Sequence, residues 1–310
     1  MISVVVPIYN EVETIPELMV RLDQALTDVG EHEIVLVDDG SQDGSWPALI
    51  AHAGRNPRLR LLRLSRNFGH QVAISAGIDA ARGDAVVTMD GDLQDPPEVI
   101  PELVAKWREG YDVVYAVRTH REGETRFKLW TASLFYRLIR RMTPISIPEQ
   151  AGDFRLLSRR AADAFARMPE RARFIRGMTS WIGFRQAGVP YRREARGAGS
   201  TKYPVRRMLH FAIDAITSFS TTPIRFVTAV GSISVVFCLG YLGWTLYVRL
   251  FTDSAVQGWA SVIVLVLLLG GLQLVSLGII GSYVARIFEE VKQRPLYLVE
   301  EVVERDTLEP

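Results

Sequence analysis

Ser3-Val4-Val5-Val6-Pro7-Ile8-Tyr9-Asn10-Glu11 is a β-branched run that closes on a proline turn. It is followed by Ile15, Leu18, Met19, Leu22, Ala25 and Leu26 at helical spacing. The alternation repeats downstream. Strands are expected at Ser3–Val6, Glu33–Val37, Arg60–Leu64, Ala85–Met89 and Asp112–Tyr115, with further helices at Ser45–His52, Gln71–Ala81 and Pro97–Glu109. Short strands alternating with amphipathic helices make an α/β fold, a mostly parallel sheet flanked by helices. Ligands of such sheets gather at the carboxyl ends of the strands, so the residues just after each strand carry the functional information.

Two acidic clusters fall there. The second strand ends in Val37-Asp38-Asp39-Gly40-Ser41-Gln42-Asp43-Gly44-Ser45 and the fourth in Met89-Asp90-Gly91-Asp92-Leu93-Gln94-Asp95-Pro96. With a turn at Gly91, Asp90 and Asp92 reach one hard cation, Mg²⁺ or Mn²⁺, which would share substrate phosphate oxygens. An isolated Asp-x-Asp fits equally a turn closed by Asx-type hydrogen bonds, and Asp38 and Asp39 fit caps for the helix at Ser45. Two acidic pairs on neighbouring strand ends repel each other, which favours a cation or a donor-rich ligand. Pro7-Ile8-Tyr9-Asn10-Glu11 offers an aromatic face to a base and polar groups to its edge. Neither a Gly-x-Gly-x-x-Gly fingerprint nor a Walker loop occurs.

The chain has 310 residues, 48% hydrophobic and 23% charged, with one cysteine, which excludes disordered, collagen-like and disulfide-framed classes. Its net charge of +1 conceals a partition. Residues 1–117 carry 9 basic and 19 acidic side chains, residues 118–207 carry 21 and 7, and the remainder 6 and 9. Phe226 to Val248 and Ser254 to Ala285 contain no charged residue. The first of these runs reaches roughly 34 Å as a helix, enough for a hydrocarbon core of about 30 Å. A pair of buried core helices is the alternative.

Trp244, Tyr247, Trp259 and Tyr283 lie near the ends of the runs, as interfacial aromatics do. Arg206, Arg207 and Arg225 precede the first run and Arg286, Lys292 and Arg294 follow the second, whereas the connection has only Arg249 at its margin. Both termini are therefore expected in the cytoplasm. Ile2 to Val6 lacks a basic leader and is cut off by Pro7, so it does not read as a signal peptide. Cys238 lies inside the first run, which leaves no intrachain disulfide and suits a reducing compartment.

Phe127, Trp130, Thr131, Leu134, Phe135 and Leu138 share one helical face, and Val205, Met208, Leu209, Ala212, Ile216 and Phe219 share another between Pro204 and Pro223. The second reads as a helix in the membrane interface or as ordinary core packing. There is no internal repeat. The expected division is a catalytic lobe at 1–203, an interfacial amphipathic helix at 204–224, a two-helix transmembrane hairpin at 225–286 and a cytoplasmic tail at 287–310 with no assigned structure.

Five motifs carry a resemblance: Val4 to Glu11, Val37-Asp38-Asp39-Gly40-Ser41, Arg66-Asn67-Phe68-Gly69-His70, Asp90 to Glu98, and Gly152-Asp153-Phe154-Arg155-Leu156. In this order they resemble the family 2 glycosyltransferases of GT-A fold. More narrowly, they are similar to the polyprenyl-phosphate glycosyltransferases, the group that includes dolichol-phosphate mannose synthase and bacterial bactoprenol glucosyltransferases. The resemblance implies an inverting transfer of one sugar from a nucleotide sugar to polyprenyl phosphate, with Mg²⁺ or Mn²⁺, on the cytoplasmic face of a bacterial inner membrane. UDP-glucose is the expected donor. GDP-mannose, UDP-N-acetylglucosamine and modified sugars stay open, and so does a homo-oligomer.

By resemblance, Pro7, Tyr9 and Glu11 border the base, Asp39 holds base or ribose, and Asp38, Asn67 and Asp90 join the donor site. Asp92 and Gln94 would hold the metal together with Asp90. Arg118 and Arg126 match arginines near the diphosphate and the acceptor phosphate, Arg196 and Lys202 would grip phosphates, and Asp153 matches an acid often proposed as catalytic base. Arg118, Asp92 and Asp153 are thus the expected catalytic set.

The basic segment suits the meeting of two phosphates, donor and lipid acceptor; anionic headgroups are its other natural partner, while nucleic acid would be repelled by the acidic lobe. A phosphate monoester with a second pKa of about 6 is largely dianionic at pH 7, so it hardly needs a base and Asp153 has an orienting role open to it. A processive synthase would show Gln-x-x-Arg-Trp, yet none of the six tryptophans follows an arginine. A non-catalytic scaffold would have lost a motif carboxylate, and none is lost.

Overall fold

The computed structural model describes residues 1–119, 151–192, 222–251 and 258–304. The chain divides into two compact units, Met1–Pro204 with Arg294–Pro310, and Val205–Gln293.

The first unit is built on an eight-stranded sheet. Its strands are β1 (Ile2–Ile8), β2 (His32–Asp38), β3 (Leu59–Leu64), β4 (Ala85–Thr88), β5 (Val113–Arg118), β6 (Ala151–Ser158), β7 (Gln186–Tyr191) and β8 (Val299–Val303), in the order β7-β5-β6-β4-β1-β2-β3-β8. Flanking it are α1 (Ile15–Leu26), α2 (Ser45–Ala53), α3 (His70–Ala80), α4 (Ile100–Arg108), α5 (Arg159–Ala166) and α6 (Ile175–Trp181). Central β1 pairs in parallel with both β2 and β4 and is buried along its whole length, which explains its unbroken apolar run. Helix α1 starts with Pro16 in its first turn and buries the stripe read from the sequence, Ile15, Leu18, Met19, Leu22, Ala25 and Leu26. Each large side chain so withdrawn from water contributes about 1.5–3 kcal/mol.

The five expected strands and four helices all form, with ends displaced by up to three residues. The segment at Pro97–Glu109 begins as a 3₁₀ turn, Pro97–Val99, before α4. Two strands run against the rest: β6 is antiparallel to β4 and β5, and β8 is antiparallel to β3. Neither was expected, nor were α5, α6 and β7. The C-terminal segment expected to be a tail instead docks as a sheet edge. There the Ser65 amide donates to the Leu298 carbonyl at 2.9 Å, the Tyr297 hydroxyl donates to Asp79 at 2.9 Å, and Arg60 pairs with Glu304 at 2.7 Å.

Strand direction positions the site. The carboxyl ends of β1, β2, β4, β5 and β7 share one rim, and because β6 runs the other way its first residues, Gly152 and Asp153, start at that rim.

In the second unit, α7 (Thr222–Phe251) and α8 (Trp259–Val291) are long and apolar enough to cross a membrane, with candidate spans Thr222–Val248 and Leu268–Val291 of mean hydropathy 1.9 and 1.7. No residue of either span's most apolar stretch is buried. Trp244, Tyr247 and Phe251 form an aromatic ladder near the end of α7, with ring centroids 6.2 and 5.4 Å apart. The two expected amphipathic helices lie outside the described residues, apart from Thr222, Pro223 and Ile224, which form the first turn of α7.

Candidate active site

The loops after β1 and β2 are stitched together. The Asn10 amide donates to the Ser41 hydroxyl at 3.0 Å, Gln42 returns a bond to the Asn10 side chain at 2.8 Å, and the Glu11 amide donates to Ser45 at 3.0 Å. Asn10 takes a left-handed conformation (φ 54°), which asparagine tolerates, and Tyr9 beside it is 44% exposed. Pro7 lies beyond the β1–β4 pairing, which ends at Val5, so its missing N–H costs that ladder nothing.

Asp38 and Asp39 are both buried. Asp38 accepts from the Ser41 amide at 3.3 Å, and Asp39 accepts from the amides of Phe68 and Gly69 at 2.7 and 2.9 Å. Burial pushes both carboxyls up, against these hydrogen bonds. Neither caps the helix at Ser45, whose amide donates to Asp43 instead; Asp38 holds the turn at Ser41, and Asp39 fixes the loop carrying exposed Asn67. Gly40 is required beneath that loop: its φ is +71°, and a Cβ there would lie 2.5 Å from the Arg66 carbonyl carbon.

After β4 the chain turns at Gly91, as expected. Leu93 adopts φ 57°, rare for leucine, and Asp92 accepts from the Gln94 amide at 3.2 Å. One oxygen of Asp92 thus makes the Asx contact named as the alternative. The His70 Nε2 lies 3.2 Å from Asp90 Oδ1 and pairs with it when the imidazole is charged. Among the described residues, no three His, Cys, Asp or Glu side chains form a metal-binding cluster. The residues that could hold a cation are those expected from the sequence, the Asp90 and Asp92 carboxylates and the Gln94 amide. Their all-oxygen chemistry fits a hard cation that keeps water or phosphate as further ligands.

Asp153, 6% exposed, is the hub of the rim. Arg176 Nε and Nη2 hold its two oxygens at 3.0 and 3.2 Å, Gln71 Nε2 donates at 3.0 Å, and His70 Nε2 is 3.7 Å away. Gln71 also accepts from the Ile175 amide at 3.0 Å, which ties α3 to α6. Burial opposes the charge of Asp153, but Arg176, His70 and Arg155 outweigh it and hold the carboxyl far below the usual carboxylate range. Burial likewise opposes the charge of His70, yet the Asp153 and Asp90 carboxylates push it up to about 10, so it is an imidazolium at neutral pH. Arg155 is buried and donates to the Gly152 carbonyl at 2.6 Å and to Thr179, and burial lowers it to about 10.

Arg118, at the end of β5, donates from Nε to the Tyr191 hydroxyl at 3.0 Å. Arg126, Arg196 and Lys202 lie outside the described residues. His70, Gln71, Arg176 and Tyr191 were not foreseen as site residues. His70 stood in a quoted motif, but the contacts that bring the four to the site span 20 to 104 positions along the chain, a relation no local pattern carries.

The glycosyl transferase family 2 model matches residues 3–165, a stretch that runs from β1 through the acidic strand ends to Asp153. The chain belongs to that family. As a family 2 glycosyltransferase it is 48% identical to an uncharacterized glycosyltransferase of Bacillus subtilis, YkcC, over 96% of this chain and 93% of that one. It is 41% identical to the bactoprenol glucosyl transferase of Shigella phage SfII, over 96% and 97% of the two chains. Among solved structures, glucosyl-3-phosphoglycerate synthase from Mycobacterium tuberculosis in complex with Mn²⁺, UDP-glucose and phosphoglyceric acid is similar over 70% of this chain and 77% of that one, at 22% identity and a TM-score of 0.48. Tyr191 and α6, including Arg176, lie beyond the stretch matched by the family model.

Proposed function

We propose that this glycosyltransferase moves one sugar from a nucleotide sugar, UDP-glucose first among the candidates, to polyprenyl phosphate at the cytoplasmic face of a bacterial plasma membrane. The observation that carries the reading is the shared rim: the acidic end of β4 and the arginines around Asp153 adjoin, with His70 between them. Near-full-length similarity to bactoprenol glucosyl transferases and the two apolar helices support the lipid acceptor.

Asp92, Gln94 and Asp90 would hold Mg²⁺ or Mn²⁺, whose chemistry is to neutralise charge on a diphosphate leaving group. Tyr9, with Pro7 and Glu11, faces the base, and Asp39 keeps the neighbouring loop in place. Arg118 and Arg176 offset the charge of the acceptor phosphate, together with Arg126, Arg196 and Lys202 from the basic segment. A phosphate oxygen attacks the anomeric carbon, the bond from that carbon to the diphosphate oxygen breaks with its electron pair, and configuration inverts. The attacking dianion has no proton to lose, and Asp153, already ionised and engaged by Arg176, is an orienting residue. The reading is tested by incubating membranes containing the protein with polyprenyl phosphate and a panel of labelled nucleotide sugars. A single labelled glycolipid that requires divalent metal is expected, and labelling of a water-soluble acceptor alone would overturn it.

A further inference from the structure

We propose that Asp95 and Tyr191 are positioning residues that aim Arg118 at the acceptor phosphate, with the missing side chain of Gly152 making room for the guanidinium. The inference rests on the reading of Arg118 as a phosphate-gripping residue.

Asp95 is fully buried, three positions after Asp92 in the same loop. Tyr191, 5% exposed at the end of β7, donates its hydroxyl to Asp95 Oδ1, and its ring meets the Phe154 ring edge-on at 6.0 Å. The same hydroxyl accepts from Arg118 Nε at 3.0 Å, while Arg118 Nη2 lies 3.7 Å from Asp95 Oδ1. A hydroxyl that donates to a carboxylate and accepts from a guanidinium is polarised from both sides, and its direction is fixed by the ring that carries it.

A Cβ at Gly152 would come within 2.9 Å of the same guanidinium's Nη2. The arginine therefore occupies the space a side chain would fill. Arg176 opposes the charge of Arg118 from nearby. Without an anchor, an arginine in this position would swing away from its neighbour toward solvent. The anchor comes from the loop that also carries Asp92 and Gln94, so the segment serving the donor also sets the direction of a group serving the acceptor.

Steady-state kinetics in proteoliposomes, varying UDP-glucose and polyprenyl phosphate separately, tests this. Tyr191→Phe should raise KM for polyprenyl phosphate about 10-fold, the effect of one charge-assisted hydrogen bond, and leave KM for the nucleotide sugar within about 2-fold. Gly152→Ala, which meets only the far end of a flexible side chain, should give the same split by displacing Arg118 with Tyr191 and Asp95 intact. In an Arg118→Ala background, Tyr191→Phe should add nothing. Equal changes in both KM values, or an effect of Tyr191→Phe that adds to that of Arg118→Ala, would show that Tyr191 only supports the fold. If Arg118→Ala itself leaves KM for the acceptor unchanged, the underlying reading of Arg118 fails first.

Discussion

Arg176 grips Asp153 with two nitrogens, Nε to Oδ1 at 3.0 Å and Nη2 to Oδ2 at 3.2 Å, and this pairing decides what the carboxylate can do. An acid held so far into its ionised form is a poor proton acceptor near neutral pH. Asp153→Asn should lower kcat on the order of 100-fold by releasing Arg176. The acidic limb of the pH–rate profile should survive, because it belongs to the acceptor phosphate, whose dianion is lost below about pH 6. Disappearance of that limb in the variant would make Asp153 the base after all.

Asp92→Asn keeps an oxygen for the Gln94 amide while removing a charge from the donor set. Transfer should fall below detection with the unfolding midpoint nearly unchanged, and EDTA should do the same to the wild-type protein. Turnover that persists in excess EDTA would remove the metal from the mechanism.

Gly40→Ala places a methyl against backbone at a φ of +71°. The 66–70 loop must move, and the bonds from Phe68 and Gly69 to Asp39 go with it. A loss of about 2 kcal/mol or more in stability is expected, accompanied by a raised KM for the nucleotide sugar. Denaturant titration and donor kinetics measure the two effects.

Asp112 accepts from Arg160 and from the Ser158 hydroxyl, and these contacts, the arginine first, hold its carboxyl below the usual range despite burial. A depressed folded pKa gives stability that is present above the unfolded value of about 3.9 and is lost as pH falls through the folded one. Asp112→Asn should therefore melt at a lower temperature than wild type at pH 7, and the gap should close below about pH 4. A gap that stays constant with pH would assign the loss to packing.

The parallel half of the sheet is legible because β1, β2 and β4 are short runs rich in β-branched residues and β3 is a short leucine-rich run, all between amphipathic helices. β6 reads Ala-Gly-Asp-Phe-Arg-Leu-Leu-Ser and is buried throughout, Asp153 and Arg155 included. Charged residues in a fully buried strand make no alternation, so periodicity gives no strand there. The acidic strand ends were legible for the same local reason. The partners of Asp153 were not, since Gln71 and Arg176 reach it from α3 and α6, and Arg176 sits in a basic run where composition distinguishes no arginine from its neighbours.

β8 changes what the membrane segment is. Residues 205–293 leave the first unit and return to it before the chain ends, so the apolar helices are an insertion within the catalytic unit rather than an appendage to it. A stop codon before α7 would strip β3 of its outer neighbour and bare a row of unpaired backbone groups, the kind of edge on which chains aggregate. A soluble enzyme calls for excision, with the segment near residue 204 spliced to the one near residue 294. The two junctions also bind the unit to its helices at both ends of one loop of chain, so that neither proteolytic cut alone sets it free.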